Sequence, residues 1–335
     1  MRRSFPAVGL ALLAGLAPTI PAAAEDPAKP ARSIRVQGNQ FVDADGETVV
    51  FRGLCFPDPD KLEKASQWNA RYFDEAKAWG ANIVRFAVHP RAWRERGRDG
   101  YLALVDQGVE WARERDLAVI LDWHSIGNLR TELYQHPMYD TTQKETFEFW
   151  RTVSERYAGD PTVIFYEIYN EPTTSQGKLG RLSWPQWKEF VEEIIGIIRA
   201  HDPTSIVLVS GRDWAYELRE VVENPIDAEG VAYVSHPYPQ KREQPWEPQW
   251  EADWGHVADR YPLIVTEFGF EHGGHIPTDS TPEYGHAVLD YMKKKGISWT
   301  AWCFDPDWPP QLISDWDYTP TTQGAFFRAY MLGKQ

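Results

Sequence analysis

The sequence predicts a single-domain α/β protein with a (β/α)8 TIM-barrel fold. Eight short apolar runs alternate with longer amphipathic stretches, and the runs are continuous, as expected of strands that are buried on both faces. Between residues 50 and 300 the runs recur roughly every 36 residues, which suits a repeated βα unit. No glycine-rich phosphate loop follows the first run, which disfavours the doubly wound open sheet.

An N-terminal β-hairpin is predicted over Ser33–Val50, with a turn at Gly38-Asn39. The eight barrel strands are predicted within the runs Val49–Phe56, Asn82–Val88, Ala118–Trp123, Val163–Tyr169, Ile206–Ser210, Val231–Ser235, Leu263–Phe268 and Ser298–Phe304. Helices are predicted over Tyr72–Trp79, Tyr101–Arg115, Gln143–Tyr157, Trp184–Ala200, Tyr216–Glu223, Trp250–Arg260, Pro282–Lys295 and Gly324–Met331. Ser183 and Gln186 form a predicted capping box at the start of one of these helices.

The first 24 residues have the pattern of a signal peptide. Arg2 and Arg3 form a charged start, Val8–Ala17 is a short apolar run, and three alanines precede Glu25. The apolar run is too short to span a membrane. We therefore expect a secreted or periplasmic protein with a short linker over residues 25–32 and the (β/α)8 domain over residues 33–335.

Charge and tryptophan content limit the classes of partner. The 35 basic and 49 acidic residues give a formal net charge of −14, which argues against nucleic acid or an anionic membrane, because both attract basic patches. The chain has 16 tryptophans, and exposed aromatic faces suit flat, neutral, amphipathic ligands such as sugar rings. We expect a neutral saccharide partner, no cofactor, no metal and a monomeric protein.

Polar or aromatic side chains end six of the eight predicted strands. The active sites of such barrels lie at the C-terminal ends of the strands. A buried charge is costly unless it is paired, so repeated polar strand ends indicate one shared site. The candidate residues are Arg85, His124, Asn170, Glu171, His236, Tyr238, Glu267 and Trp302.

Two of these candidates are carboxylates on different strands. Glu171 ends the fourth predicted strand and Glu267 ends the seventh, so the two are expected to face each other across the barrel mouth. Hydrolysis of a glycosidic bond needs such a pair, one protonated and one ionised. A separation of about 5–5.5 Å predicts retention of anomeric configuration, and a wider one predicts inversion.

With these residues the chain resembles glycoside hydrolase family 5, the cellulase family of retaining (β/α)8 enzymes. The resemblance extends from Ser33 to the C-terminus and includes Phe51–Gly53, Tyr166–Pro172 and Val265–Gly269. All eight strand-end positions match the family's usual order. Cys55 and His89 depart from the residues common in relatives, at positions that usually face the donor-side subsites.

The resemblance implies specific roles. Glu171 would be the acid/base, Glu267 the nucleophile, and Asn170 would hydrogen-bond the sugar 2-hydroxyl. The other implied placements are Arg85 and Tyr238 beside Glu267, His236 near Glu171, His124 near the reacting sugar, and Trp302 beneath it.

We expect an endo-β-1,4-glucanase on this basis. The tryptophans predicted to form walls of a multi-subsite groove are Trp246, Trp250, Trp308 and Trp316, with Trp68 as a further candidate. The alternatives on the same scaffold are a β-mannanase and an exo-acting β-glucosidase. A non-catalytic sugar-binding barrel is disfavoured because both glutamates are present. A metal hydrolase using His124, His236 and Asp122 is disfavoured because no typical ligand spacing occurs.

Cys55 and Cys303 are the only cysteines. In an oxidising compartment an even pair permits a disulfide. Two buried, unreactive thiols are the alternative, because the sequence does not show whether the geometry allows the bond.

Overall fold

Eight parallel strands close into a barrel in the computed structural model, which describes Met1 and residues 33–270 and 282–334. The strands are β1 Arg52–Phe56, β2 Ile83–Val88, β3 Ala118–Trp123, β4 Val163–Glu167, β5 Ile206–Ser210, β6 Val231–Val234, β7 Leu263–Val265 and β8 Ser298–Ala301. Each strand pairs with its neighbours in chain order, and β8 pairs with β1. Every predicted strand is thus confirmed, as is the predicted fold.

The α-helices of the described residues cover the outside of the strands. Apart from the four-residue segment Arg212–Ala215, which contains left-handed residues, they are Pro59–Lys64, Ala70–Ala78, Pro90–Arg96, Arg98–Glu114, Gln143–Tyr157, Trp184–Arg199, Trp246–Asp253, Pro282–Lys295 and Thr322–Met331. Short 3-10 helices occur at Pro137–Tyr139, Pro239–Lys241 and Gly255–Asp259. The capping box of Ser183 and Gln186 is present. No helix among the described residues is long and apolar enough to cross a bilayer.

Two predicted helices are wrong in detail. Tyr216–Glu223 forms turns, because the Leu218 N–H donates to the Asp253 carbonyl and not within a helix. The helix predicted to begin at Trp250 begins at Trp246 and ends at Asp253, and a 3-10 turn follows. In the first case a contact between remote segments decides the backbone conformation.

The predicted hairpin pairs Arg35–Gln37 with Gln40–Val42. Its Phe41 packs against Phe51 and against Phe165 of β4, with ring centroids 6.0 and 5.1 Å apart. These rings belong to the apolar cluster of inward-facing strand residues, such as Ile120 and Leu208, while a larger cluster lies between strands and helices. The inside of the barrel is therefore apolar next to the hairpin, and its polar side chains collect at the C-terminal ends of the strands.

The predicted signal peptide, apart from Met1, and the linker lie outside the described residues. Their boundaries stay predictions.

Candidate active site

Arg85 on β2 lies at the centre of the polar layer and is completely buried. Its Nε and Nη2 donate to the two carboxylate oxygens of Glu167 at 2.7 and 3.0 Å, and Nη1 donates to Glu267 Oε1 at 2.8 Å. Asp122 Oδ2 lies 2.9 Å from Nη2. Burial would lower the pKa of Arg85, but the charges of these carboxylates raise it well above the ordinary value. Arg85 is thus a fixed cation.

Glu267 follows β7 and is 5% exposed, opening into the barrel mouth. Its Oε1 accepts the bond from Arg85, and its Oε2 accepts a bond from the Tyr238 hydroxyl at 3.1 Å. Burial raises the pKa of Glu267, while the charges of His236 and Arg85 act to lower it. Because Arg85 and Tyr238 both donate to Glu267, the ionised carboxylate satisfies both hydrogen bonds.

Glu171 contacts the imidazole of His236. Thr266 Oγ1 donates to Glu167 Oε1 at 2.9 Å, so this hydroxyl accepts from His236 Nε2, also at 2.9 Å. His236 Nδ1 lies 3.0 Å from Glu171 Oε1, and that contact needs one proton, on the imidazole or on the carboxyl. Burial lowers the pKa of His236, but Glu267 and the bonds to Glu167 and Glu171 raise it to about 9.

The two candidate catalytic carboxylates lie close together. One carboxylate oxygen of Glu171 and one of Glu267 are within 4.8 Å of each other, with His236 Nδ1 at 3.0 Å from the first residue and 3.9 Å from the second. A retaining mechanism uses carboxyl groups about 5–5.5 Å apart, whereas an inverting one needs about 6.5–9.5 Å. The geometry fits retention.

These three residues also have the donor types of a cation site. The proton on the Glu171–His236 contact and the hydrogen bonds from Arg85 and Tyr238 to Glu267 use the atoms that a metal would need. The donor set therefore fits proton transfer better than metal binding.

Asn170 is completely buried beside Arg85. Arg85 Nη2 donates to Asn170 Oδ1 at 2.6 Å, which fixes the orientation of the amide. Among the described residues, no group accepts a hydrogen bond from the buried Nδ2 atom. An amide donor left unsatisfied in the protein is costly, so Nδ2 is suited to donate to a substrate.

His124 and Trp302 stack in parallel. Their ring centroids are 5.6 Å apart at an angle of 4°, and Trp302 in turn stacks with Trp308 at 6.1 Å and 16°. His124 Nδ1 lies 2.6 Å from Asp122 Oδ2. Burial lowers the pKa of His124 and raises the pKa of Asp122. Both tryptophans line the cleft that also contains Glu171 and Glu267.

The mouth of the barrel is an open cleft of about 860 Å³. Of the predicted residues, His124, Glu171, Tyr238, Glu267, Trp302 and Trp308 line it. The other lining residues are Ile126, Gln135, His136, Met138, Tyr139, Gln176, Asp213, Trp214, Gln240, Lys241, Arg242 and Pro309. A cleft with apolar walls and a few convergent polar groups is typical of a ligand site.

A family model described as Cellulase (glycosyl hydrolase family 5) matches residues 42–307. The chain belongs to glycosyl hydrolase family 5. This confirms the family resemblance that the strand-end residues indicated.

Relatives in the family include endoglucanase E-5 of Thermobifida fusca, 27% identical over 286 residues, which are 82% of this chain and 56% of that protein. The chain spans little more than half the length of the curated relatives that it matches first. The crystal structure of the β-glucanase SdGluc5_26A from Saccharophagus degradans has a TM-score of 0.89 and 46% identity, covering 94% of this chain and 98% of that one. A second crystal structure of that β-glucanase contains cellotetraose.

Several predicted groove walls of this family 5 chain lie elsewhere. Trp250 and Trp68 are buried and pack against other aromatic rings. Trp246 stacks on Trp250 at 6.1 Å and lines a separate groove with Glu283 and Tyr291. Trp316 packs against the core. These predictions are wrong because position after a strand does not tell whether a ring turns toward the cleft or toward the helices.

Cys55 and Cys303 are free, buried thiols. Cys55 Sγ donates to the Thr266 carbonyl at 2.9 Å, and Cys303 Sγ donates to the Cys55 carbonyl at 3.7 Å. Burial raises the pKa of both thiols. The disulfide that the sequence permitted is not formed, and the alternative of two unreactive thiols describes the structure.

Sequence reasoning missed Glu167 and Trp214. Glu167 lies inside an apolar strand, and a charge in such a run was the available signal. Burial acts to raise the pKa of Glu167, but Arg85 and His236 outweigh it and lower the pKa. Trp214 lines the cleft from a turn after β5, and nothing in the local sequence pattern indicates this.

The turn that contains Trp214 has an unusual backbone. Asp213, Trp214 and Ala215 have φ angles of 57°, 58° and 56°. The left-handed conformation costs a residue with a side chain about 1–2 kcal/mol, so three in succession need compensating contacts. Arg212 and Glu217 provide them by exchanging two backbone hydrogen bonds across the turn.

Proposed function

We propose that this chain is a retaining endo-β-1,4-glucanase that cleaves a neutral β-glucan by double displacement. The observation that carries the proposal is the pair of carboxylates with oxygens within 4.8 Å, one bonded by Arg85 and Tyr238 and the other by His236. Opposite environments for two neighbouring carboxyl groups assign opposite roles. Glu267 is the nucleophile and Glu171 is the acid/base.

In the first step a Glu267 carboxylate oxygen attacks the anomeric carbon. The bond from that carbon to the glycosidic oxygen breaks, its electron pair moves to the oxygen, and the proton on Glu171 goes to the same oxygen. The products are a glycosyl ester of Glu267 and a free sugar hydroxyl on the leaving chain. His236, next to Glu171, stabilises the carboxylate that Glu171 becomes.

In the second step Glu171 takes a proton from water, and the water oxygen attacks the anomeric carbon. The ester bond to Glu267 breaks and returns the nucleophile as a carboxylate, so one water is added overall and the configuration is retained. Asn170 Nδ2 donates to the 2-hydroxyl of the reacting sugar, in a contact that strengthens in the transition state.

The substrate class follows from the cleft and from the relatives. Trp302 and Trp308 line the cleft together with Glu267, and aromatic rings in a cleft suit contact with a pyranose ring. The cleft is open, and a strongly acidic chain disfavours polyanionic glycans. The matched relatives are described as endoglucanases and a β-glucanase, the latter crystallised with cellotetraose.

The test is a panel of hydroxyethylcellulose, mixed-linkage β-glucan, mannan and aryl β-glycosides, with reducing ends and viscosity measured together. An endo-glucanase lowers viscosity early while few reducing ends have formed. Preference for mannan, or sugar release without loss of viscosity, would replace the proposal with a mannanase or an exo-acting β-glucosidase. Proton NMR of the first product on cellohexaose must show the β-anomer, and the α-anomer would refute double displacement.

We also propose that the protein is exported, on the basis of the charged, apolar and small-residue pattern of residues 1–24. Mass spectrometry of protein from the culture medium or periplasm should find Glu25 at the N-terminus. An intact Met1 in the cytoplasmic fraction alone would contradict export.

A further inference from the structure

Lys241 lines the cleft but takes no part in the proposed chemistry. It lies in the 3-10 turn Pro239–Lys241, which directly follows Tyr238. Its Nζ donates to the Asp213 carbonyl at 2.6 Å and lies 3.2 Å from Asp213 Oδ2. The same Nζ lies 4.7 Å from the centroid of the Trp214 ring. One ammonium thus contacts both the backbone and the aromatic side chain of the left-handed turn.

The neighbouring basic residue, Arg242, pairs with a different carboxylate. Arg242 Nε pairs with Asp253 at 2.7 Å, away from Asp213. An ammonium within about 6 Å of an indole centroid is attracted to the ring, more strongly when water is largely excluded. The Lys241 side chain is only 14% exposed. Lys241 is therefore a largely buried cation in contact with Trp214 at the wall of the cleft.

The turn is coupled to the acid/base side of the site. The His236 backbone N–H donates to the Ala215 carbonyl at 3.1 Å, and His236 contacts Glu171. Burial lowers the pKa of Lys241, and the charges of Asp213 and Glu171 oppose that effect, which places the ammonium within the field of Glu171. Glu171 protonates the leaving group, so the wall next to it is the wall that the leaving chain meets.

We infer that Lys241 is a positioning residue that fixes Trp214 as the wall for the leaving-group sugars of the substrate. The inference rests on the proposed glycosidase function and adds a determinant of substrate length. Trp302 and Trp308 lie on the loop after β8, and the turn with Trp214 follows β5, so the two aromatic surfaces come from different sides of the barrel. A substrate that spans the cleft contacts both, and a glycoside with a small leaving group needs only the first.

The test compares Lys241→Met, which removes the ammonium and keeps the stem, with wild type on two substrates. We expect kcat/KM for cellohexaose to fall about tenfold or more, because a displaced wall misplaces the leaving chain. We expect little change for 4-nitrophenyl β-cellobioside, whose leaving group carries no sugar. The loss should appear mainly as a higher KM. Lys294→Met is the matched control, since Lys294 pairs with Glu247 on the exposed surface.

A double-mutant cycle separates positioning from direct contact. In a Trp214→Ala background, Lys241→Met should cause no further loss, because the lysine acts through the ring. Additive losses would overturn the inference and assign Lys241 a direct contact with the sugar. Equal losses of kcat/KM on both substrates would also overturn the inference, since they would show that Lys241 acts on the catalytic groups and not on the wall for the leaving chain. If Lys241→Met does not fold, Lys241→Gln takes its place in the cycle.

The outcome for wild type keeps the two proposals apart. A wild type that hydrolyses neither substrate refutes the proposed function. If the wild type is active but Lys241→Met lowers kcat/KM equally, or not at all, on the two substrates, only the role of Lys241 is refuted.

Discussion

Tyr238→Phe tests the electrostatics of the nucleophile. The substitution removes the hydroxyl that donates to Glu267 Oε2 at 3.1 Å and leaves Arg85 on Oε1 at 2.8 Å. His236 Nδ1 lies 3.9 Å from Oε2, beyond hydrogen-bond distance, and does not replace the lost donor. The Glu267 carboxylate therefore loses one of two donors, while its packing changes only by an oxygen atom.

The size of the effect follows from the contact. A hydrogen bond to a charged group contributes about 1.5–3 kcal/mol, and the length of this O–H···O bond indicates the lower end of that range. One pH unit corresponds to about 1.4 kcal/mol, so the pKa of Glu267 should rise by roughly one unit. The sign is upward, because the lost donor stabilised only the ionised form.

The assay is kcat/KM against pH on cellohexaose, whose leaving group needs the proton of the acid/base, because this profile reports ionisations of the free enzyme. The acid limb should move to higher pH, while the alkaline limb, assigned to the Glu171–His236 proton, stays in place. Tyr166→Phe is the matched control, because it also removes a buried hydroxyl, bonded to Asp202 and not to a catalytic carboxylate. An unmoved acid limb, or movement of the alkaline limb alone, would refute the assignment of Tyr238 to the nucleophile.

Three further predictions follow from the site. Glu267→Gln should reduce hydrolysis by about 10⁴-fold or more and still bind cellotetraose in calorimetry, whereas unchanged turnover would contradict its role as nucleophile. Glu171→Ala should lose roughly 10² more activity on cellohexaose than on 4-nitrophenyl β-cellobioside, because nitrophenolate leaves without a proton, and equal losses would contradict an acid role. Protonated His236 should stabilise the fold by about 3 kcal/mol, because its pKa is raised from 6.5 to about 9 in the folded protein. This contribution is complete below pH 6.5 and is lost as the pH rises through 9. Urea unfolding at several pH values should show this decrease in wild type and not in His236→Gln, and parallel profiles would count against it.

Much of the fold could be predicted from local patterns. The eight strands were found because a strand buried on both faces is continuously apolar, and the hairpin because a Gly-Asn turn separates two short runs. Tyr216–Glu223 was mistaken for a helix because the bonds that decide its conformation come from Asp253, far along the chain. Local sequence carries no information on such a partner.

The sequence predicted which residues form the candidate site, but not the distances and hydrogen bonds between them. All eight strand-end residues meet at one mouth, since strands of a parallel barrel all end on the same side. Glu167 escaped notice because it lies within the predicted apolar run Val163–Tyr169, two positions before its end, and Trp214 because a left-handed turn directs it into the cleft.

The sequence by itself determined the barrel, the order of its strands and the identity of the polar residues at their ends, because these depend on periodicity within short segments. Only the tertiary structure decided the distance between Glu171 and Glu267, the bonds of Arg85 to partners up to 182 residues away, the state of the two thiols, and which tryptophans face the cleft. The physical reason is that strand register and loop packing set these distances, and both arise from contacts between segments that are remote in the chain.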